Sequence, residues 1–400
     1  MPRIAKPTLV ALALVLGACS SSGKEPTEPQ TPTGRFATLP FEPDTIRERQ
    51  VANGVVHTYL WSSDGPWAVH LVEAEAGPCA PEVRTRKAGN AIVGVARTSA
   101  MASAAAQELG RPVLAAVNGD FFMGDPYGAP RGAQVIQGKP VNDPDPSRPV
   151  FGITTQGTRF IGSISLVGEL RTKGGQQGVI THANASPDES SGLTLYNSYV
   201  GSRTPTDAGV VEVRVSPVAG SYPVNEGRGV VVGIDTLAAG VSIPSGGVVF
   251  AGRSLGAQFL RQNVSVGDTL SWKISFSGAP GPVLEMIGGY PRLVQNGSTV
   301  RSTGSLVTER HPRTALGWRQ DGTLLLVTVD GRQPGHSIGM TGAELADLMK
   351  SLGATYAINL DGGGSTTMVV QGQVVNRYSD PSERTVGNAL LLVASGAPGC

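Results

Sequence analysis

The stretch TLLLVTVDGRQPGHSIGMTGAELADLMKSLGATYAINLD, Thr323–Asp361, begins and ends with an apolar run. The segment between the two runs has the pattern of an amphipathic helix. Thr341 is placed as its N-cap, Glu344 completes a capping box three residues later, and Gly353 is placed as its C-terminal stop. A strand, a helix and a strand within about thirty residues predict a crossover whose two strands run parallel in one sheet.

The remainder of the chain reads mainly as short β runs and turns. Glycine is abundant, with 54 residues in 400, and charged residues make up only 16%, a composition that suits many strands and tight turns. We therefore predict an α+β or mixed α/β fold: one strand-rich domain over residues 35–400, with a C-terminal βαβ unit and flanking hairpins. The formal net charge of +1 argues against a nucleic-acid partner held by bulk electrostatics.

The N-terminus has the features of an export signal. The apolar run Leu9–Leu16 follows two basic residues and is too short to span a bilayer, so residues 1–18 are predicted to be a signal peptide. The run ends in LGAC, which resembles a bacterial lipobox and predicts cleavage before a lipidated Cys19. Residues 19–34 are rich in Ser, Pro, Thr and Glu and read as a tether. We expect a protein of the cell envelope that contacts the membrane only through its lipid, in the outer membrane or periplasm if the cell is Gram-negative.

Two further cysteines, Cys79 and Cys400, remain once Cys19 is assigned to lipidation. In an oxidising compartment two such thiols can pair. We expect a Cys79–Cys400 disulfide, with two free thiols as the alternative.

Polar side chains are predicted to converge on one edge of the crossover sheet. Asp330 and Asp361 follow its two strands, and the carboxyl ends of parallel strands are where ligands bind in α/β sheets. Alternation along the second strand places Asn359 on the same face as Asp361. The turn at Arg319–Gly322 places Arg313 near Asp330, where a structural salt bridge is the alternative to a ligand site. Flanking segments add four more residues to this edge: Arg310, His311, Arg332 and Ser337.

Three glycines, Gly362–Gly364, follow Asp361 and could belong to a phosphate cradle, a sugar or metal site, or a flexible corner. A nucleotide phosphate loop needs a lysine after its glycines and then a helix, whereas here a β-hairpin is predicted to follow. The glycines can still leave room for a bulky ligand and offer backbone donors to an anion. The sequence therefore favours a ligand site without nucleotide.

Five ordered motifs together resemble the phosphodiester glycosidase family, which includes N-acetylglucosamine-1-phosphodiester α-N-acetylglucosaminidase. They are AAVNGDFF (Ala115–Phe122), RHPRTALGW (Arg310–Trp318), VDGRQPGHSIGMTGAELADLM (Val329–Met349), INLDGGGSTTMV (Ile358–Val369) and ERTVGNALL (Glu383–Leu391). The resemblance extends over about residues 98–393. It implies a mixed α/β fold and hydrolysis of a sugar from a phosphodiester, without a required cofactor.

The resemblance also implies site residues, motif by motif. The first motif contributes Asn118 and Asp120, where many relatives have Gly in place of Asp120. The second contributes Arg310, His311 and Arg313, and the third Asp330, Arg332 and Ser337. The fourth contributes Asn359, Asp361, Gly362, Gly363, Gly364 and Ser365, and the fifth Arg384 and Asn388.

The chemistry of a glycosyl phosphodiester suits these residue types. The arginines would balance charge on the departing phosphate, and His311 would protonate or hydrogen-bond the leaving oxygen. A carboxylate would activate water or attack the anomeric carbon, with Asp361 as first candidate and Asp330 as second. Two alternatives remain: a non-catalytic lipoprotein that binds an envelope glycan, and a phosphodiesterase in which Asp330 and Asp361 hold Ca²⁺ or Mg²⁺.

Overall fold

A computed structural model describes residues 36–218, 226–236, 240–302, 304 and 308–400. The predicted signal peptide, the lipidated Cys19 and the tether at 19–34 lie outside these residues. Three α-helices are described: α1 (Thr98–Leu109), α2 (Ser254–Asn263) and α3 (Gly342–Ser351). None of the helices within the described ranges is long and apolar enough to cross a membrane.

Eight strands form the central sheet. In spatial order they are β1 (Thr45–Ala52), β2 (Val55–Ser62), β3 (Trp67–Ala74), β22 (Leu324–Val329), β21 (Arg313–Trp318), β23 (Tyr356–Asn359), β19 (Arg292–Gln295) and β20 (Ser298–Thr299). The helix α3 joins β22 to β23, and its N-terminus has the predicted Thr341 and Glu344 capping box. Because β22 and β23 are each antiparallel to β21, they run parallel to each other, as predicted. They are not adjacent, however, because β21 lies between them.

A second sheet packs face to face on the central sheet. Its strands, in spatial order, are β25 (Gln373–Val374), β24 (Met368–Val370), β6 (Val113–Asn118), β27 (Asn388–Val393) and β4 (Glu82–Lys87). Leu316, Leu326 and Ile358 of the central sheet share a buried core with Val117 and Leu390 of the second sheet. Helix α3 covers the other face of the central sheet, and α1 covers the other face of the second sheet. The result is a four-layer sandwich of helix, sheet, sheet and helix.

A closed barrel lies beyond the sandwich. Its seven strands, in spatial order, are β11 (Ser165–Arg171), β12 (Gln177–Ala183), β13 (Leu193–Tyr196), β16 (Val248–Gly252), β14 (Val211–Pro217), β15 (Glu226–Asp235) and β17 (Thr269–Ser277). Burial alternates along β11 and β17, as expected for strands with one face toward a barrel interior. The interior is filled by apolar side chains such as Leu170, Phe250 and Leu270.

A bridging sheet connects the barrel and the sandwich. Its strands are β10 (Arg159–Gly162), β9 (Val150–Thr154), β18 (Val283–Gly288), β7 (Gln134–Ile136) and β8 (Lys139–Asn142). Phe151 and Ile287 enter the sandwich core, while Val135 and Met286 enter the barrel core. A last pair, β5 (Ala96–Arg97) and β26 (Thr385–Val386), forms a two-stranded ribbon.

The predicted α+β or mixed α/β class is wrong. Strands account for 43% of the structure and helices for 12%, so the protein is mainly β, with a closed seven-stranded barrel that the prediction did not include. The chain was predicted to be strand-rich, but the class was assigned from one helical crossover, and helices prove to be a small part of the structure. The barrel is made by pairings between distant segments, such as β11 with β17, which leave no local pattern.

The predicted disulfide is confirmed, with Cys79 and Cys400 joined at an S–S distance of 2.09 Å. The two residues are 321 positions apart, so the bond restricts almost the whole unfolded chain. We expect the double variant Cys79→Ser, Cys400→Ser to lose about 2–4 kcal/mol of unfolding free energy. Urea denaturation measures this loss, and reduced wild-type protein serves as the matched control. Equal midpoints for oxidised wild type and the variant would contradict the prediction.

Candidate active site

The backbone of Asp361 is held where the central and second sheets meet. Its N–H donates to the carbonyl of Gly119 at 2.9 Å, and its carbonyl accepts from Nδ2 of Asn118 at 2.6 Å. Oδ1 of Asn118 in turn accepts from the Thr314 hydroxyl at 2.7 Å and from the Thr367 N–H at 3.1 Å. Asn118 is fully buried, so its amide positions Asp361 by linking the two sheets.

The carboxyl of Asp361 is partly exposed but lies deep among protein atoms. This burial raises the pKa of Asp361 to about 6. Hydrogen bonds from Ser365 and from the Gly362 N–H, at 2.9 Å to Oδ1, oppose the rise, as does the positive charge of Arg384. The charge of Asp120 adds to it. Asp361 is therefore a carboxylate at neutral pH that takes up a proton only slightly below neutrality.

The glycines after Asp361 make room for protein groups. A Cβ on Gly362 would lie 2.7 Å from the carbonyl oxygen of Pro312, and one on Gly364 would overlap the Arg384 guanidinium. Gly363 has a φ of 59° and would place a Cβ 3.2 Å from the Arg332 guanidinium. The N–H of Gly362 is bonded to Asp361, and that of Gly363 donates to Pro312. The N–H groups of Gly362 and Gly363 are therefore already used within the protein, and two guanidinium groups lie next to the turn.

Arg332 and Arg384 flank the glycine turn. An Nη of Arg332 lies 3.2 Å from Nδ1 of His311, whose Nε2 lies 3.0 Å from a carboxylate oxygen of Glu309. Within the described ranges Arg332 has no carboxylate at ion-pair distance, and it is exposed. Arg384 is half-exposed and pairs with Asp380 at 2.6 Å. The structure thus brings His311 and two cations to the turn beside Asp361.

Arg310 and Arg313 lie in other environments. Arg310 forms a bidentate ion pair with Glu344, at 2.7 and 2.5 Å, and so attaches the segment before β21 to helix α3. Arg313 is buried, and it donates to the carbonyls of Met340 at 2.8 Å and Glu309 at 2.6 Å. Burial, followed by the charge of Arg332, lowers the pKa of Arg313 to about 10. The structure does not pair Arg313 with Asp330.

Asp330 belongs to a separate buried network. Its Oδ2 lies 2.8 Å from Nε2 of His336, and both oxygens accept from the Arg377 N–H at 3.2 Å. The hydroxyl of Ser337 donates to the Asp330 carbonyl at 2.6 Å. Burial raises the pKa of Asp330, and its carboxyl is fully covered. Because β21 lies between β22 and β23, the backbones of Asp330 and Asp361 are roughly 10 Å apart.

Asp120 and Asn388 lie on the side of the candidate site that the second sheet forms. The Asp120 N–H donates to Oδ1 of Asn388 at 2.8 Å, and Nδ2 of Asn388 donates to Gln134 at 3.0 Å. The Asp120 carboxylate accepts from the Gly132 N–H at 2.6 Å and lies 3.4 Å from Arg148. Burial raises the pKa of Asp120, against the charge of Arg148.

Asn359 lies at the end of β23, two residues before Asp361, and contacts Tyr290. Its Nδ2 donates to the carbonyl of Tyr290 at 2.7 Å, while its Oδ1 is buried without a hydrogen-bond partner among the described residues. Four residues near the site were not predicted from the sequence: Tyr290, Arg148, His336 and Asp380. A histidine six residues after Asp330, and an aspartate four residues before Arg384, were available signals for the last two.

No group of three or more His, Cys, Asp or Glu side chains in the described part of the chain is arranged to hold a metal ion. Asp330 and Asp361, the pair named for Ca²⁺ or Mg²⁺, belong to separate networks on either side of β21. The geometry therefore gives the metal-dependent phosphodiesterase alternative no shared carboxylate site.

A mainly β fold with a carboxylate and two arginines at a glycine turn is consistent with a hydrolase that handles an anionic substrate. The sequence model of the family described as phosphodiester glycosidase matches residues 215–393, which include four of the five motifs. Over these residues the chain is similar to the phosphodiester glycosidase family.

Individual relatives match shorter segments. The SPbeta prophage-derived uncharacterized protein YomE of Bacillus subtilis (strain 168) is 45% identical over 83 residues, 21% of this chain and 13% of the relative. The N-acetylglucosamine-1-phosphodiester alpha-N-acetylglucosaminidase of Bos taurus is 32% identical over 114 residues, 25% of this chain and 21% of that enzyme. The chain thus spans less than a quarter of either relative.

A solved structure shares the fold. A hypothetical protein from Synechocystis superimposes with a TM-score of 0.68 at 22% identity, covering 88% of this chain and 64% of the other.

Proposed function

We propose that this protein is an exported, lipid-anchored hydrolase of the cell envelope that cleaves a sugar from a glycosyl phosphodiester. The observation that carries the proposal is the position of Asp361, whose carboxyl has a pKa raised to about 6 beside a turn flanked by Arg332 and Arg384. The match to the phosphodiester glycosidase family over residues 215–393 supports the same reaction class. Lipidation at Cys19 and export rest on the sequence of the first 34 residues.

The residues suit the charge changes of the reaction. The Asp361 carboxylate accepts a proton from water while the water oxygen bonds to the anomeric carbon. The bond between that carbon and the phosphate oxygen breaks, and the phosphomonoester leaves with the electron pair. Arg332 and Arg384 stabilise the charge that develops on the phosphate, and His311 orients Arg332 by accepting a hydrogen bond from it at Nδ1. A phosphate is a far better leaving group than an alkoxide, so strong general-acid catalysis is less necessary.

The test is to incubate the purified full chain with a panel of glycosyl phosphodiesters and to measure free sugar and phosphomonoester. We expect both products in equal amounts. Binding of a phosphodiester without any product would replace the hydrolase by a glycan-binding lipoprotein. Loss of activity with a chelator, restored by Ca²⁺ or Mg²⁺, would reject the metal-free reaction.

The pH dependence follows from the role of Asp361. A general base is active when ionised, so kcat/KM should rise with pH through about 6 and then level off. A pH–rate profile between 4.5 and 8, with those limits chosen as roughly two units on either side of the transition, measures this. A rate that falls as pH rises through 6 would make Asp361 the acid and contradict the assigned role.

A further inference from the structure

A cavity of about 360 Å³ lies near the candidate site and has no role in the reaction described above. It is lined by Met123, Arg131, Asp145, Ser147, Arg148 and Tyr290. Its volume lies at the lower end of the range for pockets that bind small ligands. The cavity is thus of a size for one ring-sized group.

Two sets of contacts connect this cavity to Asp361. Tyr290 donates its N–H to the Asn359 carbonyl at 2.8 Å and accepts from the Asn359 amide at 2.7 Å. Arg148 lies 3.4 Å from Asp120, whose charge contributes to the electrostatic environment of Asp361. Tyr290 and Arg148, which line the cavity, therefore each contact a residue of the candidate site.

The cavity and the glycine turn lie on opposite sides of β23. Gly362 and Gly363 contact Pro312, directly before β21 on one side of β23. Tyr290 precedes β19, on the other side of β23. If Arg332 and Arg384 hold the phosphate at the glycine turn, the group on the far side of the cleaved bond extends toward Tyr290. That group is the sugar.

The charges of the lining residues limit which sugar fits. The Arg148 guanidinium lies 5.2 Å from the ring centre of Phe121 and 5.5 Å from that of Tyr290. Among the described residues, Arg148 has one hydrogen bond to a side chain, the 3.4 Å contact with Asp120. Within the described ranges Arg131 is exposed and has no ion-pair partner. The one exposed carboxylate, Asp145, accepts from the Ser147 N–H at 2.9 Å and from its hydroxyl at 2.6 Å.

Two guanidinium groups and an aromatic ring suit a sugar that carries its own negative charge. Guanidinium groups bind carboxylates through two parallel hydrogen bonds, and an aromatic face packs against the C–H face of a pyranose. Among the described residues, a neutral sugar would leave Arg131 without an anion, while Arg148 would keep Asp120 as an ion-pair partner at 3.4 Å. We propose that this cavity is the glycosyl subsite and that it selects a sugar bearing a carboxylate, such as a uronic acid. This assignment rests on the proposed function for its placement of phosphate and sugar.

The test measures binding and does not depend on turnover. The full chain is titrated with methyl glucuronide and with methyl glucoside, each as both anomers, and binding is followed by NMR. We expect the glucuronide to bind at least about tenfold more tightly, equivalent to about 1.4 kcal/mol. Arg131→Gln should remove this preference and leave glucoside binding unchanged. Arg171→Gln, at an exposed barrel arginine paired with Glu169, is the matched control and should change neither.

Several outcomes would overturn the subsite. The first is equal affinity for the glucuronide and the glucoside. The second is a glucuronide affinity that Arg131→Gln does not change. The third is binding of inorganic phosphate at Arg131 when glucuronide does not bind there. The proposed function fails separately. Glucuronide selectivity without turnover of any phosphodiester rejects the hydrolase and keeps the subsite. Turnover of glycosyl phosphodiesters with a kcat/KM that is no higher for uronosyl than for neutral substrates, and is unchanged for both by Arg131→Gln, rejects the subsite and keeps the hydrolase.

Discussion

Asp361→Asn should lower kcat for sugar release by at least about 10³-fold, because an amide cannot accept a proton from water at the anomeric carbon. The substitution keeps the shape of the side chain, and its Oδ1 can still accept from the Gly362 N–H, which is 2.9 Å away in the wild type. Substrate binding should therefore change little, so that kcat and kcat/KM fall together. Single-turnover assays with a saturating glycosyl phosphodiester measure the effect.

The same variant should be more stable than the wild type above pH 6. The pKa of Asp361 is about 6 in the folded protein, against a reference of 3.8, so ionisation of this carboxyl opposes folding. Each pKa unit corresponds to 1.36 kcal/mol, which makes the gain at most about 3 kcal/mol. The gain should be complete above pH 6, decrease as the pH falls from 6 toward 4, and vanish below it. Thermal unfolding at pH 4 and pH 8 measures this difference.

Asp64→Asn is the matched control, because Asp64 is exposed in the turn between β2 and β3. It should change neither activity nor the pH dependence of stability. Full turnover by Asp361→Asn would reject Asp361 as the base, whatever its stability shows. If Asp361→Asn lost activity but did not gain stability above pH 6, the Asp361 carboxyl would be more exposed to solvent than it is in the structure.

Local signals in the sequence predicted local structure correctly. Thr341 and Glu344 cap a helix because their side chains satisfy N–H groups within four residues. Glu344 also pairs with the distant Arg310, but the capping box does not require that contact. The direction of β23 relative to β22 also follows from the length of the crossover. That β21 lies between them depends on cross-strand packing, which the sequence of the crossover does not contain. The barrel was missed for the same reason.

The candidate site also contains both residues that local sequence predicts and residues whose roles depend on distant segments. Asp361 was identifiable because a carboxylate at a strand end, next to glycines, has an evident chemical use. The motif containing Asn118 was also recognised, but its role depends on three partners in distant segments: Asp361, Thr314 and Thr367. Arg148 had no local signal at all, since its environment is formed by Phe121, Asp120 and Tyr290 from two other loops.

Gly362→Ala should reduce kcat/KM by about 100-fold or more and lower the unfolding free energy by about 1–3 kcal/mol. Its φ of −129° is accessible to alanine, so the effect is steric. The added Cβ would lie 2.7 Å from the Pro312 carbonyl oxygen, a backbone atom at the start of a buried strand that cannot rotate away. The glycine turn must move instead. That movement shifts the Gly362 N–H away from Asp361 and changes the position of the carboxyl.

Two other glycines separate this effect from a general intolerance of alanine. A Cβ on Gly364 would meet the side-chain ends of Arg384 and Asp380, which can move, so Gly364→Ala should raise KM for the phosphodiester more than it lowers stability. Gly124 has open space around its Cα and a φ outside the left-handed region, so Gly124→Ala should have no effect. Activity and urea denaturation of the three variants measure the order. If Gly362→Ala behaved like Gly124→Ala, the backbone at Pro312 would have to be free to move. The glycine turn would then not set the position of Asp361, and the base would depend on Asn118, Gly119 and Ser365 for its orientation.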